Sequence, residues 1–220
     1  MIYIHNIHPI IISIGPIDLY WYGAMYAISF LLIDYLMKRE VVRNTAYEFN
    51  VNFIDQLVFI SILSVIIGGR LGYVLFYNFD YYAENLSKVF YIWEGGMSFH
   101  GALIGVYIGL IFLSTKNKIK FFKLSDFLVP FIPIGLFLGR TGNFINSELY
   151  GSPTNSNWGV IFPLIDSVPR HPSMLYEAFL EGIVLYLLLL FFKMTRPATG
   201  TLTAIFLIFY SIFRFSVEFV

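Results

Sequence analysis

"LVFISILSVIIGGRLGYVLFY", residues 57–77, is long enough to cross a bilayer and holds one charged residue, Arg70. A membrane span needs roughly 17–25 mostly apolar residues at helical rise, so this stretch reads as a transmembrane helix. The same test is met by residues 19–37, 97–113, 127–145, 175–192 and 202–220. The joins between them carry Asn, Asp, Ser and Pro, the residues expected of loops. Composition agrees: 58% of the 220 residues are hydrophobic and 13% are charged, whereas a soluble domain carries about a quarter charged. The expected fold is all-α, a polytopic transmembrane bundle of six spans in one domain over 1–220. A short segment at about 147–173 lies outside the membrane.

Several function classes fall away on the same grounds. Formal net charge is zero, with no basic stripe to neutralise phosphates, so no nucleic-acid partner is expected. Cysteine is absent, which removes disulfides, thiolate metal sites and a cysteine nucleophile. No H-x-x-x-H pair, carboxylate cage or GxSxG elbow is present, so neither a metal site nor a serine hydrolase is expected. No cofactor is implied. The N-terminal "MIYIHNIHPIIISIGPIDLY" lacks a basic n-region and a small-residue cleavage site, so the first span is expected to serve as its own insertion signal. Neither a 20–50-residue repeat nor a low-complexity tract is visible.

Lysines and arginines orient the bundle. The first, third and fifth joins carry Lys38, Arg39, Arg43, Lys116, Lys118, Lys120, Lys123, Lys193 and Arg196, and the second and fourth only Lys88 and Arg170. Nine against two places the odd-numbered joins in the cytoplasm and both the N-terminal segment and the end of the sixth span outside. The remaining arginines, Arg70, Arg140 and Arg214, fall within spans. Each costs about 2.5–3.5 kcal/mol at the bilayer centre on insertion scales, on the order of 9 kcal/mol together. All three lie in the outer halves of their spans. Tyr22, His100 and Glu177 lie near the outer ends of theirs, so one polar cluster facing the outer leaflet accounts for nearly all of them. Asp34 and Asp126, at inner ends, need another explanation.

The densest part is "GRTGNFINSELYG", 139–151. Residues three or four apart share a helix face, so Arg140 and Asn143 project together, with Asn146 a turn on and Glu148 beyond. Gly139, Gly142 and Gly151 let a backbone or headgroup approach, and the helix is expected to unwind near Asn146. In "YSIFRFSVE" the residues Tyr210, Arg214 and Glu218 recur every four positions, so Glu218 can fix the Arg214 guanidinium. Two arginines, each with a nearby carboxylate, suit a phosphate, which guanidinium binds bidentately while staying charged in apolar surroundings. Purely structural Arg–Glu pairs between helices read the same way. "GGMSFHGALIG" places His100 within a span, where an imidazole is the natural proton acceptor or simply a hydrogen-bonding partner of a neighbouring helix. His5 and His8 read as surface or interfacial residues, and His171 in "RHPSMLYE" as part of a helix start. Arg70 lies among glycines, and Tyr73 and Tyr77 read as interfacial belt residues.

These motifs, with "SIGPIDLYWYG" and "GGRLGYVLFYN", resemble the bacterial phosphatidylglycerol–prolipoprotein diacylglyceryl transferase family, in the family's order and over nearly the whole chain. The resemblance implies transfer of a diacylglyceryl group from phosphatidylglycerol to the lipobox cysteine thiol at a prolipoprotein signal peptide. A thioether forms and glycerol phosphate leaves, the first step of lipoprotein maturation. It implies a multi-pass protein of the bacterial inner membrane, its active site facing the outer leaflet and residues 147–173 periplasmic. By motif position, Arg140, Asn143, Glu148 and Gly151 match the family signature, Arg214 its second arginine with Tyr210 and Glu218 beside it, His100 its histidine and Tyr22 its WYG tyrosine. Arg140 and Arg214 are expected to bind phosphate and His100 to aid thiol deprotonation, with Glu148 the fourth member of the catalytic set; Arg70 and Asn146 join the substrate-binding set. Gly-Ala follows His100 where the family usually has Gly-Gly, and the stretch from Gly151 to Arg170 leaves room only for a small periplasmic head. The family is expected to continue past Glu218 with a basic, proline-containing stretch and a seventh span, which makes a truncated, non-catalytic lipid-binding form one rival reading. The other is an anion transporter or channel, against which stand inner span halves holding little beyond Asp34 and Asp126.

Overall fold

The computed structural model describes residues 2–15, 17–44 and 47–220; Pro16 of "SIGPIDLYWYG" lies outside the described residues, as do Thr45 and Ala46 of the first join. Helices dominate: α1 Trp21–Arg43, α2 Val51–Phe76, α3 Phe79–Glu84, α4 Phe99–Lys116, α5 Phe121–Leu128 and α6 Ile132–Ile145. After these, α7 Ser173–Glu177 continues through a π turn at Ala178–Val184 into α8 Leu185–Met194, and α9 spans Thr201–Val217. Among the described residues, α2, α4 and the continuous run Ser173–Met194 are each long and apolar enough to cross a membrane, and α9 is a shorter apolar helix. The protein is a polytopic helical membrane protein.

The run at 127–145, expected as one helix, is two. The chain bends by 48° between α5 and α6. Pro130 has no N–H to donate and Pro133 follows at the second position of α6, so the helical ladder is interrupted. The gap is closed by tight turns, Phe131 N–H to the Leu128 carbonyl at 3.0 Å and Ile132 N–H to that of Val129 at 3.3 Å.

The chain groups into two compact units, one of residues 1–36 and 126–220, the other of 37–125. In the first, Val129, Leu185, Leu189 and Leu202 form a buried cluster ringed by Phe206, Phe209 and Tyr210. Asp126 lies at the edge of this packing and answers the question its position raised. Its carboxylate accepts the Gly200 N–H at 2.5 Å, the Thr203 N–H at 2.8 Å and the Thr203 hydroxyl at 2.6 Å. It therefore caps α9 from a distant part of the chain, satisfying donors that a helix start leaves open. Asp126→Asn, which must turn an amide NH2 toward one of these donors, is expected to destabilise the protein by about 1–3 kcal/mol, read as a lower melting temperature in detergent.

Short strands decorate the same unit: β1 Tyr3–Ile4, β2 Ile10–Ile14, β3 Ile17–Tyr20, β4 Val160–Ile161 and β5 Pro169–Arg170. β1 lies parallel to β4 with Tyr3 opposite Val160, β4 is antiparallel to β5, and β2 and β3 form a hairpin leading into α1. This pairing overturns the surface reading of His5. His5 is 3% exposed, wedged between the Phe144 and Phe162 rings with Nε2 3.1 Å from the Ile145 carbonyl. The strand partner that buries it is far along the chain, so no local pattern announced it.

In the second unit α2 and α4 pack along a glycine seam. A Cβ on Gly105 would sit 3.0 Å from the Gly68 Cα, and one on Gly72 would meet Ser98 at 3.1 Å and the Gly101 backbone closer still. Small residues of this kind let membrane helices approach closely. Side-chain caps start both helices: Asn50 accepts the Phe53 N–H at 2.8 Å and Ser98 the Gly101 N–H at 3.1 Å.

Candidate active site

The ion-pair cluster of the first unit is built from three helical segments. Arg140 comes from α6, Glu177 ends α7, Glu181 stands on the π turn, and Arg214 lies near the end of α9. Glu177 joins the two arginines: its Oε2 is 2.6 Å from Arg140 Nε, and its Oε1 accepts from Arg214 Nη1. Arg214 Nη2 also holds Glu218 at 2.8 Å, the pair one turn apart that the spacing of four implies. Glu181 stands 3.7 Å from Arg140 Nη2. Glu177 and Glu181 are both buried. The arginine side chains are 18% exposed at Arg140 and 42% at Arg214, so Arg214 is the more open face of the pair.

This arrangement holds two guanidinium groups from different helices at one carboxylate, leaving further N–H donors on each. A phosphate presents several acceptor oxygens, and planar guanidinium forks suit them. Tyr210, one turn before Arg214, lines the same cluster. Its ring stacks on Phe206 at 5.7 Å.

A second group of polar residues continues from α6. The helix ends at Ile145 with Asn146 as its cap, where the sequence predicts unwinding. Ser147 and Leu149 then adopt left-handed backbone, with φ of 58° and 56°, which costs a non-glycine residue roughly 1–3 kcal/mol. The effect is to turn Glu148 back onto the helix end. Its carboxylate accepts from Asn143 Nδ2 at 3.1 Å and Asn146 Nδ2 at 3.2 Å, and its own N–H reaches the Asn143 carbonyl at 2.9 Å. Tyr22, in the first turn of α1, packs on Gly142, where a Cβ would lie 3.2 Å from its ring; its hydroxyl donates to that of Tyr26 at 3.1 Å. Gly151 permits a backbone crossing: its N–H reaches the His171 carbonyl at 2.8 Å, and a Cβ would come within 2.7 Å of the Val220 carbonyl oxygen.

Outside the helices, Arg170 lies over the Tyr150 ring at 4.9 Å and grips Asp166 at 2.6 Å. This hydrogen-bonded pairing holds the Asp166 carboxyl below the usual carboxylate range. His171 Nδ1 meets the Tyr176 hydroxyl at 3.2 Å, a structural contact.

Arg70 and His100 belong to the second unit. Arg70 is buried, and its five N–H groups go to backbone carbonyls: Nε to Val89 at 2.8 Å, Nη1 to Gly95 and Gly96, Nη2 to Lys88 at 2.7 Å and Tyr91 at 3.1 Å. Its guanidinium also faces the Tyr82 ring at 5.1 Å. That pattern shapes the 88–96 loop and leaves no donor over for a headgroup. His100, by contrast, is exposed in the first turn of α4, with only the Phe99 ring against it at 5.7 Å and no polar partner among the described residues.

The sequence places Glu177 in the polar cluster but not among the residues expected to bind or act, and it leaves Glu181 out altogether. Glu177 reads locally as part of a helix start, and Glu181 is inconspicuous inside "LEGIVLYLLLL". The available signal was chemical: an ionisable residue inside a membrane span points to function by default.

The sequence pattern of the prolipoprotein diacylglyceryl transferase family matches residues 9–220. The chain is 48% identical over 215 residues to the phosphatidylglycerol–prolipoprotein diacylglyceryl transferase of Bordetella parapertussis, covering 97% of this chain and 82% of the relative. It is 50% identical over 216 residues to the protein of that name from Actinobacillus pleuropneumoniae serotype 3, covering 98% and 81%. With that of Buchnera aphidicola subsp. Acyrthosiphon pisum, strain Tuc7, identity is 45% over 241 residues, covering 99% and 85%.

Proposed function

The chain belongs to the prolipoprotein diacylglyceryl transferase family, and from that premise we propose that the Arg140–Glu177–Arg214 bridge is the phosphate-binding centre of its transfer reaction. The enzyme moves the diacylglyceryl group of phosphatidylglycerol to prolipoproteins. The acceptor is the lipobox cysteine thiol beside the signal helix. Its sulfur attacks the glyceryl carbon that carries the phosphate ester oxygen; the carbon–sulfur bond forms as that carbon–oxygen bond breaks. The electron pair leaves on glycerol phosphate, and the thiol proton passes to a base.

The phosphate enters as a singly charged diester and departs as a monoester with more negative charge. Guanidinium donors aimed at it therefore bind more tightly as the bond breaks, which is what accelerates a chemical step. The observation that carries this reading is the single carboxylate held between two arginines of different helices. Glu177 sets their separation, and Glu218 steadies the more open one. Glu148, fixed by Asn143 and Asn146, and Tyr22 and Tyr210 line the substrate side. Gly151 holds the backbone crossing beside them. His100, matched to the family histidine by motif position and exposed, is assigned to aid thiol deprotonation. Arg70 serves by shaping the 88–96 loop. The site faces the outer leaflet of the bacterial inner membrane, where the lipobox emerges. The anion-path reading loses Asp126, whose carboxylate is engaged in capping α9.

The test supplies membranes containing this 220-residue chain with phosphatidylglycerol and a lipobox peptide. Mass spectrometry is expected to find a diacylglyceryl addition on the peptide cysteine, absent when phosphatidylethanolamine replaces phosphatidylglycerol. No addition beside an active relative would overturn the assignment.

A further inference from the structure

We propose that Glu181 is the proton-balancing residue of the arginine site: it takes up a proton when the phosphate of the lipid enters and releases it when the site empties. The inference rests on the reading of Arg140 and Arg214 as the phosphate-binding pair.

The argument begins with charge. The cluster holds two guanidinium groups and the three carboxylates of Glu177, Glu181 and Glu218. Glu177 and Glu218 already match the two arginines through close contacts. Glu181 is the carboxylate in excess. It is also the worst placed to remain charged: its side chain is fully buried, and neither oxygen has a hydrogen-bond partner among the described residues. Its nearest cation is Arg140 at 3.7 Å, against 2.6 Å for the Glu177 contact. A buried carboxylate without hydrogen bonds gains stability only from nearby positive charge.

The groups facing Glu181 are Arg140 from α6, Glu177 one turn earlier on its own helix, and Arg214 and Tyr210 from α9. In the empty site the two guanidinium groups are the only cations among them. A phosphodiester on those guanidinium groups adds a negative charge to a cluster that already has one in excess. Within a low-dielectric bundle such like charges repel strongly. The surplus is relieved most easily at Glu181, because a proton there sacrifices no short ion pair. Glu177 and Glu218, by contrast, would each have to give up a direct contact with an arginine. The neutral acid also leaves no charge buried without hydrogen bonds, which is the costlier state. The π turn at Ala178–Val184 carries this residue, and single π turns inside helices are frequent at functional sites. Glu181 makes no contact with reacting atoms in this scheme. It is a positioning residue that acts through Arg140.

Calorimetry of the full-length protein in detergent tests the proposal, with short-chain dioctanoyl phosphatidylglycerol as the probe. Titrations at one pH in two buffers of different ionisation enthalpy count the protons taken up per lipid bound. The wild type is expected to take up close to one proton at some pH between 6 and 8.5. Its Kd rises up to tenfold per pH unit above the titration of Glu181. Glu181→Gln, nearly isosteric and checked for folding by its melting temperature, is expected to bind the probe with no Glu181-linked uptake and a flat Kd across the same range. Glu181→Asp, which keeps the acid, is expected to restore uptake. Wild-type binding without proton uptake anywhere in the range, or unchanged uptake in the Gln variant, overturns the proposal and leaves the arginine site standing. Failure of the wild type to bind the probe at all would instead strike the phosphate reading itself.

Discussion

Arg140→Lys is expected to lower kcat/KM for diacylglyceryl transfer by roughly 10²–10³-fold, the loss seen when one preorganised donor to a developing charge is removed. Most of that loss should appear in kcat. Lysine keeps a positive charge opposite Glu177, so the uncompensated buried carboxylate that alanine would create is avoided. It cannot, however, keep a planar cation paired with Glu177 and present a second, fixed edge to a phosphate. Arg140 has the shape for both, its Nε 2.6 Å from Glu177 Oε2 in an ion pair and its guanidinium carrying further N–H donors. An ammonium on a flexible stem offers attraction without that planar fork. Ground-state binding of the singly charged diester needs mainly the charge, so KM is expected to move little. The departing phosphate needs the geometry. A Lys variant with wild-type kcat/KM in the lipobox peptide assay would remove Arg140 from the transition state.

How far the site could be read in advance depended on distance along the chain. The spacing of four from Tyr210 through Arg214 to Glu218 carries geometric content on its own, and the Arg214–Glu218 contact is present. The turn after Asn146 was likewise foreshadowed by polar residues that a helix at that depth has no use for. Glu177 is different. Its two arginine partners lie on α6 and α9, and nothing local distinguishes a bridging glutamate from one that starts a helix. Glu181 was hidden by its apolar neighbours. Arg70 shows the opposite failure: a membrane arginine among glycines suggests an anion, yet its partners are five backbone carbonyls that leave no sequence signature. The bend between α5 and α6 was written in Pro130 and Pro133, but hydropathy alone runs straight through it. Charge type and local period thus singled out Arg140, Arg214 and Glu218, and tertiary contacts decided which charge meets which.

Glu177→Gln is expected to reduce kcat by about 10²-fold while leaving KM unchanged or lower, a split that distinguishes a spacer from a ligand. The amide keeps the volume of the carboxylate but removes the charge that holds two guanidinium groups together. It can accept from one arginine through its oxygen, while its NH2 then faces the other. The two cations repel, and Arg214, the more exposed, is the one free to move away. A site with one fewer negative charge attracts a lipid anion at least as well, so the lipid still binds. What is lost is the simultaneous grip on both sides of the leaving phosphate, and a misplacement of about 1 Å can cost on the order of 10² in rate. Stability should fall too, since breaking a buried ion pair by removing one partner costs about 3–5 kcal/mol, with Glu181 beside Arg140 softening the loss. Steady-state kinetics with varied phosphatidylglycerol, alongside a melting curve, decides the matter. A raised KM with kcat intact would mean that Glu177 helps hold the lipid itself, and the spacer role would have to be given up.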